Sequence, residues 1–180
     1  MGVLRVMVTG HRPDKIGGWT PGNPTEVWVR GALQSTLETL LRRRPEPGEL
    51  VVVSGMALGV DQWWAEEAMV LDIPVHAAVP FKGQEDQWPE HKQRHYHELL
   101  ARCERVEYIS DPGYEPWKMA TRNFWMIDYT GLVVAVWNGS SGGTRNTVDE
   151  VLKRGQSFIH IDPVARTITL GGLQGSPTDV

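Results

Sequence analysis

Bare, bendable backbone recurs at three places in this chain of 180 residues, each time between an apolar run and a segment of helical period. Residues 54–61 read SGMALGVD, residues 138–144 read NGSSGGT, and residues 9–24 read TGHRPDKIGGWTPGNP. Glycine lets the chain turn tightly and lets main-chain N–H groups approach a ligand. Where such a turn opens a helix, the unpaired first-turn amides and the helix dipole both favour an anion, and a phosphate is the natural occupant. The candidate ligand-binding residues are therefore Thr9, Gly10, His11 and Arg12 in the first loop, and Ser54, Gly55, Met56, Gly59 and Asp61 in the second. Asn138, Gly139, Ser141, Gly142, Gly143 and Thr144 belong to the third. Gly59→Val and Gly143→Val are expected to remove ligand binding and spare the fold.

Charged side chains could complete such a cradle. Arg122 lies between Met119 and Met126, away from a helical stripe of Trp117, Ala120, Phe124 and Ile127. That spacing predicts a residue outside the core, on a face that meets a ligand, a partner subunit or only water. Its planar guanidinium suits phosphate because it donates in pairs. Asp61 has two readings, capping amides in the first turn of a helix or bonding a ribose or base. At roughly sixteen residues, the first loop is long for such a connection and is a candidate lid.

Other constellations carry less. His91 and His95 stand at helical i, i+4 spacing, but no third ligand follows at a useful offset, so neither metal nor cofactor is expected. Glu66 and Glu67 are neighbours on a helix, diverge by ~100°, and read as a solvated face. Trp63, Trp64, Trp117 and Trp125 read as core or dimer surface, and Cys103 as an inert core thiol.

The elements that must position these groups follow from patterning. Apolar runs at 3–8, 50–54, 74–79, 105–109 and 132–137 alternate with helical segments at about 25–44, 59–72, 87–102, 116–129 and 144–154. Thr25 is the expected cap of the first helix and Pro45 its stop. Such alternation specifies an open α/β sheet, mainly parallel, with helices on both faces. Loops that follow parallel strands emerge on the same carboxyl edge, so the three bare loops meet there if their strands are neighbours. Two short alternating runs around Asp162-Pro163 predict an antiparallel hairpin at the sheet edge. The expectation is a single domain over 1–172 and a disordered tail over 173–180.

Composition narrows the partners. The formal charge of -4 supplies no general basic field, which disfavours nucleic acid as a partner. A single cysteine excludes an internal disulfide framework and a multi-cysteine metal cage. The N-terminal segment lacks a leader pattern and no run reaches membrane-spanning length, so a cytoplasmic protein without membrane contact is expected.

The segments VTGHRP, SGMALGVDQWWAE and AVWNGSSGGT together resemble the SLOG superfamily, over about residues 3 to 154, and most of all its bacterial and phage YpsA-like branch. That resemblance implies a Rossmann-like fold that binds a nucleotide or nucleotide-derived small molecule. The SGMALGVD segment is also similar to the glycine-rich stretch of DNA-processing protein A, which binds single-stranded DNA. MATRNFWM and SSGGT are similar to the motifs of LOG-type phosphoribohydrolases, implying Arg122 as a catalytic residue if the protein is an enzyme. In that family a Glu follows the Gly-Gly-x-Gly-Thr turn by three residues. Thr147 occupies the place here, and Glu150 is the nearest glutamate that could take the role. The expectation is a binding protein, with a homodimer or higher homo-oligomer allowed, a nucleotide N-glycosidic hydrolase as the alternative, and a DNA-processing-protein-like binder third.

Overall fold

In the computed structural model, which describes residues 2–172, five helices pack around one seven-stranded sheet. The chain runs β1 (Leu4–Gly10), α1 (Pro24–Arg43), β2 (Leu50–Ser54), α2 (Val60–Val70), β3 (Val75–Val79), α3 (Glu90–Arg102) and β4 (Arg105–Tyr108). It continues through α4 (Pro116–Tyr129), β5 (Leu132–Val136), α5 (Gly143–Lys153), β6 (Phe158–Asp162) and β7 (Thr167–Gly171). The strand order is β4-β3-β2-β1-β5-β6-β7, with parallel pairing except between β6 and β7, the expected edge hairpin. The 173–180 tail lies outside the described residues.

Strands β1, β2, β3 and β5 are mainly apolar on both faces because both faces are covered. Val6, Val8, Val52, Ala77 and Val134 join a core with α1, α2 and α3, including Leu33, Leu37, Trp63, Trp64 and Leu99. Their neighbours Met7, Val53, Ala78 and Val133 point to the other side, where Met126, Ile127, Val148 and Val151 of α4 and α5 cover them. Alternation along each strand therefore builds two cores from one continuous apolar run.

The first helix starts one residue earlier than expected. Asn23 is its cap, accepting from the amides of Thr25 at 3.1 Å and Glu26 at 3.0 Å, with Pro24 at the first helical position where a missing N–H costs nothing. Thr25 is one of the residues capped. The helix stops at Arg43 before Pro45, as the sequence indicates.

Strand order has one consequence for function. The chain builds β1 to β4 outward in one direction and then returns to place β5 on the other side of β1. Loops leaving β1 and β5 at their carboxyl ends part in opposite senses and leave a crevice, the usual ligand position in an open α/β sheet. Because β2, β1 and β5 are adjacent, the three bare loops do share one edge.

Candidate functional site

A cleft of about 280 Å³ opens at that carboxyl edge. From the first loop come Thr9, Gly10, His11, Arg12, Asp14 and Lys15; Ala57 and Asp61 come from the second junction, and Gly143 and Thr144 from the third. Helix α4 adds Met119, Arg122 and Asn123.

First and third loops are fastened together across the mouth. Nε2 of His11 lies 2.8 Å from Oδ1 of Asn138 and 3.3 Å from the Ser140 hydroxyl, and Nζ of Lys15 donates to the Ser141 carbonyl at 2.9 Å. Burial holds the His11 pKa below its ordinary 6.5 despite the bond to Asn138. Asn138 also accepts from the Ser140 amide at 3.0 Å, so this side chain shapes the loop and does not line the cleft. At α5 the first turn is open: Gly142 is the cap residue, and among the described residues no side chain bonds the free amides.

The junction after β2 is built differently. Ser54 and Met56 are fully buried, with the Ser54 hydroxyl donating to the Asp61 carbonyl at 2.6 Å and accepting from the Met56 amide at 3.1 Å. A Cβ on Gly55 would overlap the Arg122 guanidinium, and one on Gly59 would lie 2.7 Å from Cδ of Pro13. Close approach of the Pro13–Lys15 turn and a φ of 95° both require glycine at position 59. Ser54, Gly55, Met56 and Gly59 do not line the cleft, and neither do Gly139, Ser141 and Gly142.

Arg122 corrects the sequence reading. It is 5% exposed, while Trp117 and Phe124 of the supposed core stripe are 57% and 38% exposed. Helix α4 buries Lys118, Arg122 and Met126, an i, i+4, i+8 row, together with Ile127 of the supposed stripe. Main-chain carbonyls decide this. Nζ of Lys118 donates to Asp111 and Gly113, each at 2.8 Å, and to Pro112 at 3.3 Å; Nη1 of Arg122 donates to Gly55 at 2.5 Å. Cations so satisfied can be buried, whereas the aromatic side chains tolerate the surface.

Arg122 and Asp61 form a buried ion pair, Nη1 to Oδ2 at 3.9 Å. Burial raises the Asp61 pKa and the Arg122 charge opposes that rise; burial lowers the Arg122 pKa and the Asp61 charge opposes it. Asp61 caps no first-turn amide of α2; its Oδ2 accepts from the Ala57 amide of the preceding loop at 3.3 Å.

Glu150 is elsewhere. Its carboxylate accepts from Nε of Arg154 at 2.8 Å and does not line the cleft. Thr147 is buried, donating to the Gly143 carbonyl and accepting from Nδ2 of Asn123, both at 3.0 Å. The structure thus joins Arg122 to Asp61 and separates it from the proposed acid. Glu66 and Glu67 also depart from expectation: both pair with Arg30, which Glu26 contacts as well, and His95 lies 2.5 Å from Glu66. Helix α1 brings the cation that draws the two diverging carboxylates of α2 together.

Val8, Asp14, Lys15, Ala57 and Asn123 line the cleft but are not among the site residues the sequence indicates, and Met119 enters there only as a neighbour of Arg122. Lys15 had a legible signal, a cation in a loop already assigned to the edge. Asn123 had none, because its role depends on α4 lying against α5.

A sequence model of the YspA SLOG family matches residues 6–162. The chain belongs to the YspA SLOG family. Over 154 residues it is 26% identical to a UPF0398 protein of Lysinibacillus sphaericus, spanning 82% of this chain and 84% of that relative. Its fold is similar to DNA processing protein A (DprA) from Streptococcus pneumoniae, with TM-score 0.63 and 20% identity, covering 98% of this chain and 52% of that one. The Helicobacter pylori DprA, a structure concerned with single-stranded DNA binding, gives TM-score 0.63 and 19% identity over 89% of this chain and 66% of that one. The chain thus spans about half of the first DprA structure and two thirds of the second. Among the described residues no helix is long and apolar enough to cross a membrane.

Proposed function

We propose that this SLOG protein binds a nucleotide or nucleotide-derived small molecule through its phosphate at the carboxyl edge of the sheet, in a sensing, sequestering or regulatory role. The observation that carries the reading is the uncapped N-terminus of α5 opening on the same cleft as Arg12 and Lys15. Free amides, a helix dipole and two cations converge where strand order leaves a crevice. Arg122 lines the same cleft, with its charge opposed by Asp61 and its Nη1 bonded to the Gly55 carbonyl.

Binding rather than hydrolysis is favoured by the carboxylates present. Those lining the cleft are Asp14 and Asp61, and Glu150 is not among them. The test is to identify small molecules released from the purified, denatured protein by mass spectrometry, and to follow AMP, GMP and CMP incubations by chromatography. A retained phosphorylated nucleoside without release of free base is expected. Free base formed at an enzymatic rate, and lost in Glu150→Gln, would replace this reading with the hydrolase. A salt-sensitive mobility shift of single-stranded DNA, with no small molecule bound, would replace it with the DprA-like one.

A further inference from the structure

Asp61 leaves one oxygen unexplained. Its side chain is 10% exposed, and Oδ2 is occupied by the Ala57 amide and the facing Arg122 guanidinium. Oδ1 has no hydrogen-bond partner among the described residues, and the residue lines the cleft. That oxygen is open to the cleft, an acceptor that a ligand donor can complete.

The surrounding charges limit what that ligand group can be. Arg122 already supplies the counter-charge from beneath, and Arg12 adds further positive potential. A second cation is not required there. What the oxygen lacks is a neutral donor, and a sugar hydroxyl is such a group; a vicinal diol offers two. The cleft also runs from Asp61 to the α5 N-terminus, and at about 280 Å³ it lies just below the ~300–1,000 Å³ usual for ligand sites. That size suits a sugar phosphate with its base towards the mouth.

We infer that Oδ1 of Asp61 accepts from the ribose hydroxyls of the ligand while the α5 N-terminus holds its phosphate, so that the cleft selects ribonucleotides over 2'-deoxyribonucleotides. This rests on the nucleotide reading of the same cleft. It goes further by assigning a specificity residue and a sugar class. Removing a hydroxyl from a site built to bond it leaves the carboxylate desolvated and unpaired, which penalises the deoxy ligand more than loss of a solvated contact would.

The test uses base-free probes. Titration calorimetry of the full chain with ribose 5-phosphate and 2-deoxyribose 5-phosphate, with AMP and 2'-deoxy-AMP as a second pair, is expected to show a ribose preference of about 10- to 100-fold. Asp61→Asn, checked for folding by circular dichroism, is expected to shrink the preference to below about threefold, because a neutral amide bonds hydroxyls more weakly. Equal affinity for both sugars in the unsubstituted protein overturns the inference alone, since phosphate capture then survives. A full preference retained in a folded Asp61→Asn variant also overturns it. If neither sugar phosphate nor nucleotide binds, the cleft reading and the inference fall together. Should Asp61→Asn not fold, the comparison in the unsubstituted protein decides.

Discussion

The junctions after β2 and β5 look alike as sequence and serve opposite ends. Both place glycines between a buried strand and a helix. After β2 the space beside the glycines is filled by protein: Arg122 lies against Gly55, and Pro13 against Gly59. After β5 it is open. Added Cβ atoms at Gly139 and Gly143 would meet nothing within 4 Å, and one at Gly142 would meet only Nζ of Lys15. Glycine signals that a side chain is unwanted, and it does not reveal whether protein or ligand is what comes close.

The difference can be broken first by adding side chains. Gly55→Val must evict a buried guanidinium from its carbonyl and carboxylate partners, and is expected to cost about 3–5 kcal/mol of stability in urea unfolding. Gly143→Val should stay within about 1 kcal/mol of the parent, while losing affinity for AMP in calorimetry. Equal stability of the two variants would erase the distinction between a packed junction and an open one.

Removing the evicted guanidinium itself sharpens the same contrast. Arg122→Met leaves Asp61 buried without its counter-charge and should destabilise by about 3 kcal/mol. Adding Asp61→Asn should recover part of the loss, a coupling of roughly 0.5–3 kcal/mol in a double-mutant cycle. Additive losses would mean that the pair, 3.9 Å apart, contributes no coupling.

On the open side, the His11 latch to Asn138 should respond to acid. The folded pKa lies below 6.5, so between that folded value and 6.5 the unfolded chain binds more protons. Stability is therefore present above pH 6.5 and declines as pH falls towards the folded value. Melting temperature against pH should show this slope in the parent and a weaker one in His11→Gln. The smallest effect concerns neither junction: burial pushes the Cys103 thiol up to about 11, so at neutral pH iodoacetamide should label it slowly until denaturant is added.

Much of the frame was legible because periodicity survives translation into structure. The apolar runs of β1, β2, β3 and β5 became strands covered on both faces, and α4 lies at 116–129 as its period indicates. Which face of α4 turns inward was not legible. Lys118 and Arg122 look like solvent-facing residues by type, yet carbonyls of the 111–113 loop and of Gly55 accept their hydrogen bonds and make their burial favourable. The same holds for Glu66 and Glu67, whose partner Arg30 is more than thirty residues away.

The sequence by itself determined the α/β alternation, the edge hairpin, and the presence of three bare loops after strands, because propensity and hydrophobic period are local properties. Only the tertiary structure decided that β1 lies between β2 and β5, that Arg122 faces Asp61 rather than Glu150, and that the α5 N-terminus is left open while the α2 junction is filled. Those outcomes depend on which distant groups satisfy a buried charge or occupy a gap, and distant partners are chosen by packing, not by spacing along the chain.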